Sequence, residues 1–178
     1  DFIFMVEDSS YMFVTGPDVV KTVTHENVTQ EKLGGASVHK AKTGVAHFAF
    51  PNDIHTLLQV RRLVNLLPLS NRETPPTRKT NDPADRVDIS LKTLVPADSN
   101  KPYDMKELVR GVVDEGDFME VQAHFAKNII VGFGALEGHT VGVVANQPLE
   151  LAGCLDIDSS MKAARFIRFC DAFNIPIV

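Results

Sequence analysis

The 178-residue chain has a net charge of −5 and is 44% hydrophobic and 23% charged; such fractions belong to globular proteins and exclude a chain disordered throughout. Its length suits one ordinary domain and cannot hold two large ones. The acidic balance argues against a nucleic-acid surface as the main function, because such a surface must neutralise phosphates, though it leaves room for a local basic pocket.

No apolar run approaches the roughly 20 residues that a membrane helix needs. The chain opens at Asp1-Phe2-Ile3-Phe4-Met5-Val6, without an initiator Met or a signal-peptide pattern, and closes at Asn174-Ile175-Pro176-Ile177-Val178. Both ends read as cuts through a core, so a segment of a longer polypeptide is expected. Residues 2–6 and 11–15 are short strand candidates around an Asp-Ser-Ser turn. A helix is expected from Thr15-Gly16-Pro17-Asp18, since Pro17 suits a first helical position and Asp18 the positive end of the dipole. Thr29 to Gly35 reads as a helical turn stopped by two glycines. Asn52 can cap a helix over 53–67, with Ile54, Leu57, Leu58, Leu63, Val64 and Leu67 at helical spacing.

Six of the ten prolines fall in residues 68–103. Proline fixes φ and removes a donor, so this stretch is expected to be sparse in regular structure and to link two folded units, 1–67 and 104–178. Patterning restarts at Asp104, which with Glu107 resembles a capping box for a helix ending near Val113. Phe118 to Ala123 reads as a strand. Asn128 to Leu136 and His139 to Ala145 read as a hairpin turning at Glu137-Gly138. Asp158 is expected to cap a last helix with an apolar stripe of Ala163, Phe166, Ile167, Cys170 and Phe173, leaving Lys162, Arg165 and Arg168 to face elsewhere. Asn174 should end it in the left-handed conformation, and a strand should begin at Ile175.

Several residue groups invite a chemical reading. His39, His47 and His55 are spaced by eight, whereas two ligands on one helix want spacings of three or four, so no metal site is expected. No G-x-S-x-G elbow accompanies the serines, and Ser159 and Ser160 read as first-turn residues. Cys154 and Cys170 are expected as reduced, buried thiols. Leu33-Gly34-Gly35-Ala36 matches neither a phosphate loop nor a dinucleotide fingerprint, but adjacent glycines let a ligand approach the backbone. No catalytic side chain is assigned.

Longer strings carry more. TGPDVVK (15–21), LGGASVH (33–39), TGVAHFAF (43–50), NDP-x-DR (81–86), FAKNIIVGFGALEGHTVGVVANQP (125–148) and DIDSSMKAARFIRFCDAFNIPIV (156–178) resemble the carboxyltransferase β subunits of biotin-dependent acyl-CoA carboxylases, in order along the whole chain. The branch acting on propionyl-CoA is the most similar. The resemblance implies an α/β, crotonase-like fold of ββα superhelical repeats in two pseudo-symmetric domains. Residues 1–67 would then end the first domain and 104–178 begin the second.

It also implies the activity: transfer of a carboxyl group from carboxybiotin to the α-carbon of an acyl-CoA, propionyl-CoA giving methylmalonyl-CoA. Alternatives on the same scaffold are a transcarboxylase, a biotin-dependent acyl-CoA decarboxylase or a non-catalytic assembly subunit. The implied cofactor is biotin carried by a partner α subunit, which would also use ATP and bicarbonate. The implied assembly is a hexameric β core within an α/β hetero-oligomer, with each active site between domains of neighbouring chains. Its setting would be the mitochondrial matrix in a eukaryote or the cytoplasm in a bacterium. The two main glycine-rich oxyanion loops of the family would lie outside these residues. Gly34 and Gly35 are expected to border the acyl-CoA side, and Ala145, Asn146 and Gln147 the biotin side.

Overall fold

A computed structural model describes residues 1–98 and 100–178; Ser99, inside the proline-rich stretch, lies outside them. The chain divides into two units. The first comprises Asp1–Arg62 with Gln122–Phe125, and the second Leu63–Val121 with Ala126–Val178.

In the first unit, β1 (Phe4–Val6) and β2 (Phe48–Phe50) pair in parallel with Phe4 opposite Phe48. Alternation sends Met5 inward against Ala36 and Ala46 and leaves Phe4 stacked on Phe48 at 4.6 Å on the other face. Helices α1 (Pro17–Thr24), α2 (Gln30–Gly34) and α3 (Ala36–Ala41) intervene. Pro17 begins α1 as its residue type requires, and the Thr29 hydroxyl caps α2. Residues 11–15 are not a strand. Tyr11 makes one bridge to Gly35 and Met12 donates to the Gly34 carbonyl at 2.8 Å, so this segment pairs with a helix end and then meets Pro17.

Helix α4 (Asp53–Val64) starts at Asn52, whose Oδ1 accepts from the His55 N–H at 2.8 Å. Its expected apolar face is not a core face: Ile54 is 75% and Leu57 63% exposed, and Leu58 and Val64 are exposed too. The buried residue of its first turns is Thr56, whose hydroxyl donates to the Asn52 carbonyl. Leu63, in the second unit, is buried.

The second unit is built on an antiparallel sheet in the order β3 (Met119–Val121), β4 (Ile129–Leu136), β5 (His139–Asn146). The near-continuous apolar run of β4 is the signature of a strand covered on both faces, and Ile129 to Ala135 are all buried. Helix α7 (Ile157–Ala172) lies on one face, with Phe166 and Phe169 against Phe133 at 5.0 and 6.0 Å. Valines 109 and 113, from α6 (Met105–Val112) and the residue after it, meet Val141 and Val143 in a separate apolar cluster. Pro176 to Val178 run parallel to β5, with Val178 donating to the Gly142 carbonyl at 2.8 Å.

The described residues of the proline-rich stretch include a short helix, α5 (Leu91–Leu94), and are fastened within the second unit. Arg86 pairs with Asp82 at 2.5 Å and donates to the carbonyls of Gly111 and Val113 at the end of α6. Asp82 also accepts from the Glu115 N–H at 2.8 Å.

Three expectations for α7 need correction. Its cap is Asp156, not Asp158: the Asp156 carboxylate accepts from the Ser159 N–H and the Ser159 hydroxyl oxygen from the Asp156 N–H, a reciprocal pair that Asp158 cannot make from the first turn. Lys162 is buried rather than outward, and Ile167 is exposed. Cys154 is exposed, because it follows the short turn 151–153 on the way to α7; Cys170 is buried as expected, and both thiols are free.

The hairpin between β4 and β5 needs glycine at its second turn position. Gly138 has φ +78°, and a Cβ there would lie 1.9 Å from the Arg78 carbonyl oxygen. The turn's N–H groups, Glu137 at 3.0 Å and Gly138 at 2.7 Å, both donate to the buried Asp114 carboxylate. Gly138→Ala combines backbone strain with a backbone clash and is expected to cost about 2 kcal/mol or more in urea unfolding, with an unchanged transition midpoint counting against the turn's role.

Candidate functional site

The end of β5 is held from three sides. Gln147 is buried, and its backbone N–H donates to the Asn128 carbonyl at 3.0 Å. Its side-chain amide donates to Asp104 at 2.6 Å and accepts from the Met105 N–H at 3.2 Å, joining the turn to the start of α6. Asp104 also accepts from the Lys106 N–H at 2.9 Å as the cap of that helix. Burial works against the Asp104 charge, but the bonds from Gln147 and Lys106 outweigh it and hold the carboxyl below its ordinary range. Asn146 is exposed; its Nδ2 donates to the Gly153 carbonyl, and its Oδ1 accepts no bond among the described residues. Ala145 is half-buried.

Ala145 also lines an apolar cavity of about 180 Å³, with Met105, Val109, Val141, Val143 and Val178 among its walls. Ala145 thus borders an apolar recess, whereas the Asn146 side chain, the next along β5, meets Gly153.

A polar knot lies behind this turn. Asn128, 3% exposed, donates from Nδ2 to the Cys154 carbonyl at 2.7 Å and the Ser159 hydroxyl at 3.0 Å. Bonds from the Ser159 N–H and hydroxyl and from Asn128 keep the Asp156 carboxyl below its ordinary range. Lys162, 2% exposed, reaches the carbonyls of Ile129 at 2.9 Å and Ala126 at 3.3 Å. Burial lowers its pKa to about 8, against the pull of Glu120 and with a smaller push from Lys106. Neither Asn128 nor Lys162 stood out in the sequence. The available signal was spacing: residues 159, 162, 163, 166 and 170 are the buried face of α7.

Gly34 and Gly35 sit in the first unit. A Cβ on Gly34 would lie 2.1 Å from the Met12 carbonyl oxygen, and one on Gly35 at 2.1 Å from the Glu31 carboxylate. Both positions are thus closely approached by the chain itself. The histidines have separate surroundings. His39 Nε2 donates to the Met12 carbonyl at 2.7 Å, buried His47 accepts at Nδ1 from the Ile3 N–H at 3.1 Å, and His55 stacks on Phe50 at 5.0 Å. Ser159 is a capping residue, Ser160 is exposed in the first turn, and burial pushes the Cys170 thiol up to about 12.

Residues 1–178 match the carboxyl transferase domain family. The chain is 68% identical over its full length to the propionyl-CoA carboxylase beta chain of Roseobacter denitrificans, covering 35% of that protein. It is 56% identical to the mitochondrial propionyl-CoA carboxylase beta chain of Homo sapiens, covering 33% of it. It therefore spans about a third of the length of these curated relatives. Among solved structures, a transcarboxylase 12S hexamer with methylmalonyl-coenzyme A and methylmalonic acid bound superposes with a TM-score of 0.96 at 42% identity, over 99% of this chain and 34% of that one. The fold is accordingly the crotonase-like carboxyltransferase fold expected from the sequence.

The buried Lys162 gives a pH test. Its folded pKa, about 8, lies below the ordinary value of 10.5, so protonation favours the unfolded chain. The destabilisation is present below pH 8 and is relieved as pH rises from about 8 to 10.5. Relative to Lys162→Met, the native chain should gain up to about 3 kcal/mol across that window. Parallel pH dependences of unfolding for the two proteins would contradict a buried, depressed lysine.

Proposed function

Because the chain belongs to the carboxyl transferase domain family, we propose that it is part of the carboxyltransferase subunit of a biotin-dependent acyl-CoA carboxylase, acting on propionyl-CoA to give methylmalonyl-CoA. The observation that carries this reading is the 68% identity along the whole chain to a propionyl-CoA carboxylase beta chain. A sister activity on the same scaffold is the second reading. It is favoured by 53% identity to a methylmalonyl-CoA decarboxylase subunit alpha of Veillonella parvula and 42% to transcarboxylase 12S, both lower than the first.

In this reading residues 1–67 close a first carboxyltransferase domain, 68–103 connect, and 104–178 open a second. The partner is a biotin-carrying α subunit that consumes ATP and bicarbonate, and the β subunits form a hexameric core. The setting is mitochondrial in a eukaryote and cytoplasmic in a bacterium. Gly34 and Gly35 border the acyl-CoA side, where the tight approach of Met12 and Glu31 fixes the backbone.

Bound biotin would supply the carboxyl group for transfer and a base for the acyl α-proton. The residues at the end of β5 fit such a group. The apolar walls beside Ala145 would suit the body of a bicyclic ring, and the exposed Asn146 has an Oδ1 able to accept from a ureido N–H. Gln147 is buried and its amide bonds Asp104 and Met105, so in this reading it holds the turn. Preorganised donors and acceptors of this kind act without reorganisation during the reaction.

Asn146→Ala in the intact carboxyltransferase subunit should raise KM for free biotin or the biotinylated partner by about three- to tenfold, the worth of one hydrogen bond. The KM for propionyl-CoA should stay unchanged. A variant with normal biotin use and only a lower melting temperature would reduce Asn146 to its bond with the Gly153 carbonyl.

A further inference from the structure

We infer that Asn128 is a positioning residue for the carboxyl-transfer site: it fixes the turn Ala145–Gln147 relative to the first turn of α7. The inference rests on the reading of that turn as the biotin-facing one.

The argument is geometric. The Asn128 backbone carbonyl accepts from the Gln147 N–H at 3.0 Å. The Asn128 side chain, on the same Cα, donates at 2.7 Å to the Cys154 carbonyl and at 3.0 Å to the Ser159 hydroxyl, with a longer 3.4 Å approach to the Asp156 carboxylate. One buried residue thus binds the end of β5 through its main chain and the start of α7 through its side chain. Asn146 closes the loop by donating to the Gly153 carbonyl, one residue before Cys154.

The chain on either side of Asn128 is held as well. Lys162 holds the carbonyls of Ala126 and Ile129, two residues before and one after. Ala126 itself has φ +43°, a conformation that a non-glycine residue keeps only when its surroundings enforce it. Loss of the Asn128 amide leaves the Cys154 carbonyl and the Ser159 hydroxyl without this donor. The Gln147 N–H keeps its acceptor, but the end of β5 is then no longer tied through Asn128 to the start of α7. Residues 145–147 are expected to shift together, because Gln147 is also the link to Asp104.

The chemistry selects asparagine. The Nδ2 faces a carbonyl, a carboxylate and a hydroxyl whose oxygen already accepts from the Asp156 N–H at 2.8 Å. Aspartate of the same shape would set an anion against two acceptors, so Asn128→Asp should be more damaging than Asn128→Ala.

The test uses the carboxylase assembled from intact subunits and its two substrates separately. Asn128→Ala should lower kcat/KM for free biotin or the biotinylated partner about tenfold or more, as expected for a small misplacement of a binding element. Binding of propionyl-CoA should be unchanged, and Asn128→Asp should fall further on the biotin side alone. Phe166→Leu, which loosens the core under α7 without touching the turn, is the stability control. If Asn128→Ala impairs both substrates equally, or no more than an equally destabilised Phe166→Leu, Asn128 is a fold residue only and the inference fails. If Asn146→Ala changes biotin kinetics while Asn128→Ala does not, the turn faces biotin but Asn128 does not position it. If neither variant affects the biotin side, the reading of the turn fails, and this inference with it.

Discussion

The double-sided burial of β4 is the constraint on which the second unit depends. A strand with no solvent face must be apolar along both alternations, and Ile129 to Ala135 meet that condition. The two glycines inside it are close approaches: a Cβ on Gly132 would meet the Met119 carbonyl and Phe118, and one on Gly134 would meet Val113. The strand can only be flanked, so β3 and β5 pair on either side of it. Phe133 takes the aromatic face of α7, and the valines of β5 take α6. Burying one such side chain contributes roughly 1.5–3 kcal/mol, so the core around β4 outweighs any single polar contact in the unit.

A strand buried on both faces creates a problem at its ends, where backbone groups leave the ladder but remain shielded from water. The two ends are solved differently. At the hairpin end, one carboxylate, Asp114, takes both N–H groups of the turn. At the other end Lys162 donates to the carbonyls of Ala126 and Ile129, and Asn128, the residue before β4, ties that end to Cys154 and Ser159. The rigid end is also the one beside the apolar recess at Ala145. Order in the turn after β5 is therefore a by-product of satisfying the strand.

Much of this was legible from local chemistry. The caps at Thr29, Asn52 and Asp104, the Glu137-Gly138 hairpin and the left-handed Asn174 depend on neighbours within a few residues. The misses depend on partners far along the chain. Residues 11–15 look like a strand until Gly34 is seen to supply the pairing. The apolar residues of α4 have helical spacing, yet spacing says only that a face exists and not that a neighbour covers it. Asp156 and Asp158 are both plausible caps by type, and the Ser159 hydroxyl decides between them. At the site, a polar turn after a buried strand was readable, and the long motif strings carried the family. The division of labour between exposed Asn146 and buried Gln147 was not readable, because adjacent amides differ only in which acceptors and donors the fold brings to them.

Lys162 shows why such a knot contains a charge at all. A buried cation is costly: burial lowers its pKa to about 8, a penalty on the order of 3 kcal/mol. An apolar side chain of similar length would avoid the penalty but leave the Ile129 carbonyl without this donor, at about 1–3 kcal/mol, while the Ala126 carbonyl would keep the Ile129 N–H at 3.2 Å. The two alternatives are comparable in stability, so stability alone does not select lysine. Geometry does: an ammonium on a four-carbon stem can reach from α7 to two carbonyls on either side of Asn128 and set their directions. A methionine would fill the space and set nothing. Buried polar groups are retained in some proteins because they specify one arrangement among several of similar energy, and here the arrangement specified is that of residues 126–129, whose Asn128 carbonyl holds the Gln147 N–H.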